Sequence, residues 1–125
     1  MHELGLCEGV LAIGLEAAGE QEVTRIRVRA GRLLAVDQES WQMSWQMVTA
    51  GTAAAGATME LISAPVVLRC RSCGEVATAS NSLACAVCHG VSVEVVSGDQ
   101  LVVEEVELGG GIVVRNPIVG GEARD

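Results

Sequence analysis

Two Cys-x2-Cys pairs, separated by eleven residues, are the feature that most constrains how this 125-residue chain folds. The x2 spacing lets two sulfurs from one tight turn bind the same ion, and Gly74 supplies permissive backbone directly after the first pair. Two such turns provide the tetrahedral set of thiolates that Zn²⁺ accepts in closed, structural sites. The predicted zinc ligands are Cys70, Cys73, Cys85 and Cys88.

The same four cysteines could instead form two redox disulfides or hold a rubredoxin-like iron. Disulfides are disfavoured if the protein is cytosolic, where thiols stay reduced. An iron site of that kind usually lies in an aromatic core, and residues 65–97 contain no aromatic residue. His89 directly follows Cys88 and could compete as a ligand, but we expect it to be an exposed neighbour. Zinc is favoured because it also explains how so short a segment folds.

Charge and composition exclude several classes of function. The chain has 16 acidic and 8 basic residues, a formal charge of −8, which has the wrong sign for a nucleic-acid-binding surface. All the basic residues are Arg, so no P-loop lysine exists. The start of the chain lacks the positive region of a signal peptide, and no segment is apolar enough to span a membrane. We expect a soluble, cytoplasmic protein.

Two segments have the periodicity of amphipathic helices. Residues 4–18 place apolar side chains at spacings of three and four. In residues 41–50, the side chains of Trp41, Trp45 and Val48 occupy positions i, i+4 and i+7. Each segment therefore predicts a helix with one buried face.

Three other segments have the pattern of strands. Residues 22–31 and 57–63 alternate apolar and polar side chains, and residues 101–108 form a β-prone run before the end of the chain. Together with the helices, these strands predict an α+β fold in which two helices pack on a small mixed or antiparallel sheet. A β-rich zinc-ribbon module is inserted before the last strand.

The predicted domain bounds follow from this order. Residues 1–64 and 98–108 form the α+β domain, and residues 65–97 form the zinc-ribbon module. Residues 109–125 are Gly-rich and lack periodicity, so we expect a flexible tail.

Several residues that could serve metals or partners have simpler structural interpretations. Cys7 lies on the apolar stripe of the first helix, where a buried free thiol behaves as a small hydrophobic group. Three methionines are predicted to fill the core: Met43, Met47 and Met59. Three alternating arginines are predicted to form a solvated strand face, which could also dock a partner: Arg25, Arg27 and Arg29.

The first three residues, Met1, His2 and Glu3, form a candidate chelate for a square-planar ion. The terminal amine, the amide and imidazole nitrogens of His2, and the amide nitrogen of Glu3 can supply four nitrogen donors. Such a set suits Ni²⁺ or Cu²⁺ and is poor for Zn²⁺. The carboxylate of Glu3 could orient His2 or approach the metal. A histidine near a terminus is more often only a solvated side chain, so these residues alone do not establish a metal site.

Four features in this order resemble the HypA (HybF) family: MHELGLCEGV at the start, VRAGRLLAVDQES, the paired Cys-x2-Cys motifs, and SGDQLVVEEVEL. The resemblance runs from residue 1 to about residue 108. It implies a nickel metallochaperone for maturation of NiFe-hydrogenase, and in some bacteria of urease, rather than an enzyme. It also implies that Met1, His2 and Glu3 bind the transported nickel and that the four paired cysteines bind structural zinc.

The resemblance further implies a maturation GTPase of the HypB type as partner, with the hydrogenase large subunit downstream. The negative charge and the scarcity of aromatic residues predict no nucleic-acid partner, and the lack of a long apolar segment predicts no membrane partner. The sequence leaves monomer and dimer open. Two alternatives remain from the residues themselves. One is a zinc-ribbon module that binds nucleic acid or protein, and the other is a thiol oxidoreductase that uses the Cys-x2-Cys pairs.

Overall fold

The structure, a computed structural model, describes residues 2–78 and 82–117 of the chain. It contains two α-helices and seven strands over the described residues, and the predicted α+β class is confirmed. The elements in chain order are α1 (His2–Ala18), β1 (Val23–Gly31), a 3-10 turn (Arg32–Leu34), α2 (Gln38–Thr49), β2 (Thr58–Ala64), β3 (Val66–Cys70), β4 (Gly74–Thr78), β5 (Val93–Ser97), β6 (Leu101–Leu108), a second 3-10 turn (Gly109–Gly111) and β7 (Val113–Arg115).

The described strands form two sheets. A four-stranded sheet has the order β2-β1-β6-β7, and a three-stranded sheet has the order β4-β3-β5. In the smaller sheet, β3 pairs antiparallel with both neighbours. The first Cys-x2-Cys pair lies at the β3–β4 turn, where Cys70 pairs with Gly74.

The chain divides into two compact units. The first unit comprises the described parts of Met1–Val28, Val36–Leu61 and Val102–Asp125. The second comprises Arg29–Ala35 and the described parts of Ile62–Leu101. The predicted zinc-ribbon module, residues 65–97, falls within the second unit.

The core of the first unit is built from both helices and the larger sheet. The indole Nε1 of Trp45 donates to the backbone oxygen of Ala57 at 3.0 Å, which ties α2 to the segment before β2. Cys7 is fully buried, so its predicted place in the core is confirmed. The buried apolar side chains of this unit are those of Cys7, Val10, Ala18, Val23, Ile26, Val28, Trp41, Trp45, Ala54, Ala57, Met59, Val103, Val106 and Leu108.

Two of the three methionines predicted as core residues are exposed. Met59 is buried, but Met43 and Met47 are 60% and 66% exposed, so the prediction was wrong for these two. The physical reason is the helical period. Trp41 and Trp45 define the buried face of α2, and the two methionines lie on the opposite side of the same turns.

Neither helix contains Arg or Lys. The acidic residues of α1 are Glu3, Glu8 and Glu16, and α2 contains Glu39. None of the helices in residues 2–78 and 82–117 is long and apolar enough to cross a membrane.

The predicted solvated arginine face of β1 is an ion-pair network across three strands. Arg25 donates from Nη1 to Glu60 at 2.7 Å, from Nη2 to Glu105 at 3.0 Å and from Nε to Glu107 at 3.1 Å. Arg27 donates from Nε to Glu60 at 3.2 Å. The sequence pattern could not show this pairing, because the acids come from β2 and β6.

Part of the segment predicted as a flexible tail forms strand β7. Val113–Arg115 pairs antiparallel with β6, with Val114 opposite Val106. The sequence gives no periodicity here because the strand is only three residues long and follows three glycines. The rest of that tail, residues 118–125, lies outside the described residues.

Candidate metal sites

The four cysteines predicted to bind zinc converge in the structure. The Sγ atoms of these four cysteines all lie within 4.8 Å of one another. The Sγ atoms of Cys70 and Cys88 are 3.7 Å apart. A tetrahedral ion with Zn–S bonds of about 2.3 Å separates any two of its sulfurs by about 3.8 Å. All five cysteines of the chain are free thiols, so the number, chemistry and spacing of the donors fit one zinc ion.

The β3–β4 turn holds the first pair of cysteines. Cys70 ends β3 and is buried, whereas Cys73 lies in the turn and is exposed. Gly74 has a φ of 81°, in the left-handed region that glycine adopts without steric cost. The chain can therefore reverse directly after Cys73 and begin β4, as the sequence predicts.

A hydrogen-bonded loop holds the second pair. The N–H of Cys85 donates to the backbone oxygen of Gly90 at 2.9 Å, and the N–H of His89 donates to the backbone oxygen of Cys85 at 2.9 Å. The Sγ of Cys85 accepts from the N–H groups of Val87 at 3.4 Å and Cys88 at 3.5 Å. His89 is exposed, as predicted, and the chain wraps around the buried sulfur of Cys85.

The electrostatics of the cluster favour a resident cation. The backbone N–H groups of Cys88 and Val87 lower the pKa of Cys85 to about 6. The neighbouring sulfur of Cys88 raises the pKa of Cys73 to about 12. Four thiolates this close repel one another, so they cannot all ionise near neutral pH without a positive ion among them. A divalent metal removes that conflict, because it stabilises every thiolate at once.

The candidate nickel site is described at two of its three predicted residues. His2 is the first residue of α1, and its side chain is 50% exposed. Its Nδ1 lies 3.9 Å from Oε1 of Glu3. Met1, which carries the predicted amine ligand, lies outside the described residues. The imidazole is thus accessible to an ion from solvent.

Glu3 is held by the start of α2. It is only 4% exposed, and its Oε2 accepts the backbone N–H of Asp37 at 3.0 Å. Asp37 is the N-cap of α2, and its own carboxylate accepts the N–H of Ser40 at 2.9 Å. The N–H of Asp37 is the main reason that the pKa of Glu3 is lowered to about 2. The contact with Asp37 was missed from the sequence, since no local pattern links residues so far apart.

A family model described as hydrogenase/urease nickel incorporation, metallochaperone, hypA matches residues 1–108. The chain belongs to the HypA family. It is a nickel metallochaperone of hydrogenase and urease maturation, and the identification made from the sequence is confirmed. The two alternative functions, a nucleic-acid-binding zinc ribbon and a thiol oxidoreductase, are not favoured.

Relatives of known name match almost their whole length. The hydrogenase maturation factor HypA of Alkalilimnicola ehrlichii is 34% identical over 112 residues, which cover 86% of this chain and 99% of that protein. The HypA of Trichodesmium erythraeum is 31% identical over 109 residues, with coverages of 86% and 96%. These HypA relatives are named as maturation factors rather than as enzymes.

A solved structure has the same fold. The solution structure of the nickel metallochaperone HypA from Helicobacter pylori superimposes with a TM-score of 0.61. It is 21% identical to this chain and covers 86% of it and 97% of its own length. The HypA fold therefore persists although most of the side chains differ.

Proposed function

We propose that this HypA-family chain binds Ni(II) through Met1, His2 and Glu3 and delivers the ion without catalysing a reaction. The observation that carries the proposal is the position of His2. Its imidazole is half exposed at the first turn of α1, while the neighbouring Glu3 is buried and tied to Asp37. The start of the chain therefore combines an accessible metal-binding side chain with an anchored backbone.

The proposed ligand set consists of nitrogens. The terminal amine and the amide of His2 close a five-membered ring with the ion, and the imidazole of His2 closes a six-membered ring with its own amide. The amide of Glu3 completes a square plane, which suits Ni²⁺. Both amides lie in the first turn of α1, where helical i→i−4 hydrogen bonds have not yet begun. Their deprotonation therefore removes no hydrogen bond of the α1 ladder.

Glu3 contributes its amide nitrogen to the proposed site, and its carboxylate has a second task. The hydrogen bond from the Asp37 N–H to Oε2 fixes the first turn of α1 against the start of α2. That hydrogen bond occupies Oε2, and Oε1 lies near the His2 imidazole. The carboxylate thus orients the chelating backbone, which favours the first of the two roles considered from the sequence.

We propose that the second metal is zinc, held by Cys70, Cys73, Cys85 and Cys88. Four thiolates leave no open coordination position, so this ion would be structural and would cross-link two loops. The convergence of the four sulfurs and the lowered pKa of Cys85 support this assignment.

The proposed partners follow from membership in the family. We expect nickel to pass in the cytoplasm through a maturation GTPase of the HypB type to the large subunit of a NiFe-hydrogenase, or to urease. A site of four thiolates requires the reduced cysteines that such a compartment maintains. The acidic charge of −8 argues against a nucleic acid as partner.

The test of the nickel site compares the native chain with one that carries a single extra N-terminal Gly. The extension moves the amine out of the chelate and keeps every side chain in place. We expect loss of planar Ni(II) absorption and at least a tenfold weaker affinity by calorimetry. His2→Ala should give the same loss, whereas His89→Ala, at the only other histidine, should bind as the native chain does. Stoichiometric planar nickel in the extended chain would refute the proposal.

A further inference from the structure

A ridge of three exposed side chains on α2 has no role in the fold or in the proposed metal sites. Glu39, Met43 and Met47 follow one another at intervals of four residues and therefore line one side of the helix. All three are exposed, and the two methionines are more exposed than buried, at 60% and 66%. We call these three residues the α2 ridge.

We propose that the α2 ridge docks a partner protein whose surface carries basic side chains around an apolar patch. The inference deepens the proposed function and rests on it, because it names the surface through which the nickel-receiving partner is bound. Methionine is suited to such a surface, since its flexible, polarisable thioether adapts to the shape of an apolar partner. The buried face of α2, fixed by Trp41 and Trp45, presents the ridge on a rigid element.

The charge around the ridge determines the chemistry of the partner. Residues 4–24 and 36–59, which include nearly all of both helices, contain six acidic residues and no Arg, Lys or His: Glu8, Glu16, Glu20, Glu22, Asp37 and Glu39. In the described part of the first unit, every arginine lies on the larger sheet and is paired there with acids of β2 and β6. These six acids therefore give the helical segments a net negative charge, which complements a basic partner.

The same charge disfavours the other occupants of an exposed apolar ridge. A second copy of this chain would bring the same acids against each other, with no arginine of the helices to neutralise them. An anionic lipid surface or a nucleic acid would also be repelled. The apolar ridge and the net negative charge of the helical segments together point to a basic protein surface.

The position of the ridge suits a transfer of nickel. Asp37, which binds the carboxylate of Glu3, starts α2, and Met43 lies six residues further along the same helix. A rise of 1.5 Å per residue places Met43 about 9 Å and Met47 about 15 Å along the helix from Asp37. A protein docked on the ridge would thus lie beside the proposed nickel-binding terminus.

The experiment measures the dissociation constant between the full-length chain and the HypB-type GTPase of the same organism by calorimetry. The double variant Met43→Gln/Met47→Gln removes the apolar atoms while keeping side-chain length and helix propensity. We expect at least tenfold weaker binding. Glu39→Lys should weaken binding mainly at low salt. The control Ile112→Gln/Val113→Gln, at two exposed apolar residues away from the helices, should change the constant less than twofold.

Three results would overturn the inference: no binding by the native chain, native affinity in the ridge variants, or a native dimer that the ridge variants dissociate. The last result, read from molar mass by light scattering, would assign the ridge to a second copy.

Nickel uptake by the ridge variants should equal that of the native chain. If the Gly-extended chain keeps its nickel while the ridge variants lose the GTPase, the nickel-site proposal fails and the docking surface stands.

Discussion

The carboxylate of Glu3 accepts the backbone N–H of Asp37 at 3.0 Å, across 34 positions of sequence. The thiol of Cys7 donates to the backbone oxygen of Trp41 at 3.6 Å, again across 34 positions. One step of four residues along α1 therefore matches one step of four along α2, so the two helices run parallel. The hydrogen bond at Glu3 is the first contact of this pair and sets its register.

Glu3→Gln should lower the stability of the metal-free protein in a pH-dependent way. The pKa of Glu3 is about 2 in the folded chain, against an ordinary value of 4.5, so its charge stabilises the fold fully above pH 4.5. That contribution declines as the pH falls from 4.5 towards 2. The difference in Tm between native and variant chains should therefore be largest near pH 6 and shrink towards pH 3, as followed by circular dichroism. Glu8→Gln, at an exposed residue of α1, is the control, and a difference that is constant with pH would contradict the assignment.

Cys85→Ser should abolish zinc binding. The variant removes the buried sulfur that accepts two backbone N–H groups, so the four-thiolate site cannot form. We expect metal content by mass spectrometry to fall from one zinc per chain to none, and the amides of β3, β4 and β5 to lose hydrogen-exchange protection. Cys7→Ala should keep one zinc. Retention of zinc by the Cys85 variant would show that the ion is bound elsewhere.

Arg25→Gln should destabilise the larger sheet by about 1 kcal/mol, because it removes three ion pairs at once and leaves Glu107 without its arginine, while Glu60 and Glu105 keep only contacts with Arg27 and Arg115. Arg25→Lys should rescue only part of the loss, since an ammonium cannot reproduce the fork that contacts three carboxylates. Arg115→Gln is the matched control. That residue is 72% exposed and lies 3.7 Å from Glu105, so urea denaturation should detect little change. Equal losses of stability in Arg25→Gln and Arg115→Gln would mean that the ion pairs of Arg25 stabilise the sheet no more than the single contact of Arg115 does.

Gly5→Ala and Gly9→Ala should each stabilise the chain by about 0.5–1 kcal/mol, because alanine loses less backbone entropy in a helix. Among the described residues, no atom outside the adjacent residues and the backbone of α1 lies within 4 Å of a Cβ added at either position. Gly14→Ala should gain less, since its Cβ would approach Cδ1 of Ile26 at 3.3 Å. The stability gains are measured as denaturation midpoints of the three variants. A gain in Gly14→Ala equal to the gains at Gly5 and Gly9 would contradict the steric argument.

Local patterns predicted the helices and strands in which the spacing of apolar residues by itself defines a buried face. Strand β6 has the bounds predicted for it, 101–108, although β7 follows it, and α1 differs from the predicted helix only by two residues at its start. The four cysteines converge as their spacing indicates, because the two residues inside each pair and the turn at Gly74 suffice to bring sulfurs together.

Features that depend on distant residues were not predicted. The contact between Glu3 and Asp37 and the pairing of Arg25 with acids of β2 and β6 require the tertiary fold. Met43 and Met47 were assigned to the core from residue type alone, although the two tryptophans had already defined the other face of α2 as buried. Whether these methionines are buried depends on which side of the helix they occupy, and their residue type alone does not show this.

The parallel direction of α1 and α2 affects the affinity of the proposed terminal site for a cation. Each helix carries a partial positive charge of about half an electron at its N-terminus, and here both of these ends lie on the same side of the pair. A cation at the proposed terminal site meets two dipoles that oppose it, so the negative charges of the Glu3 carboxylate and of the deprotonated nitrogen donors must together outweigh them. Once those nitrogens regain their protons, the attraction weakens while both dipoles still oppose the ion.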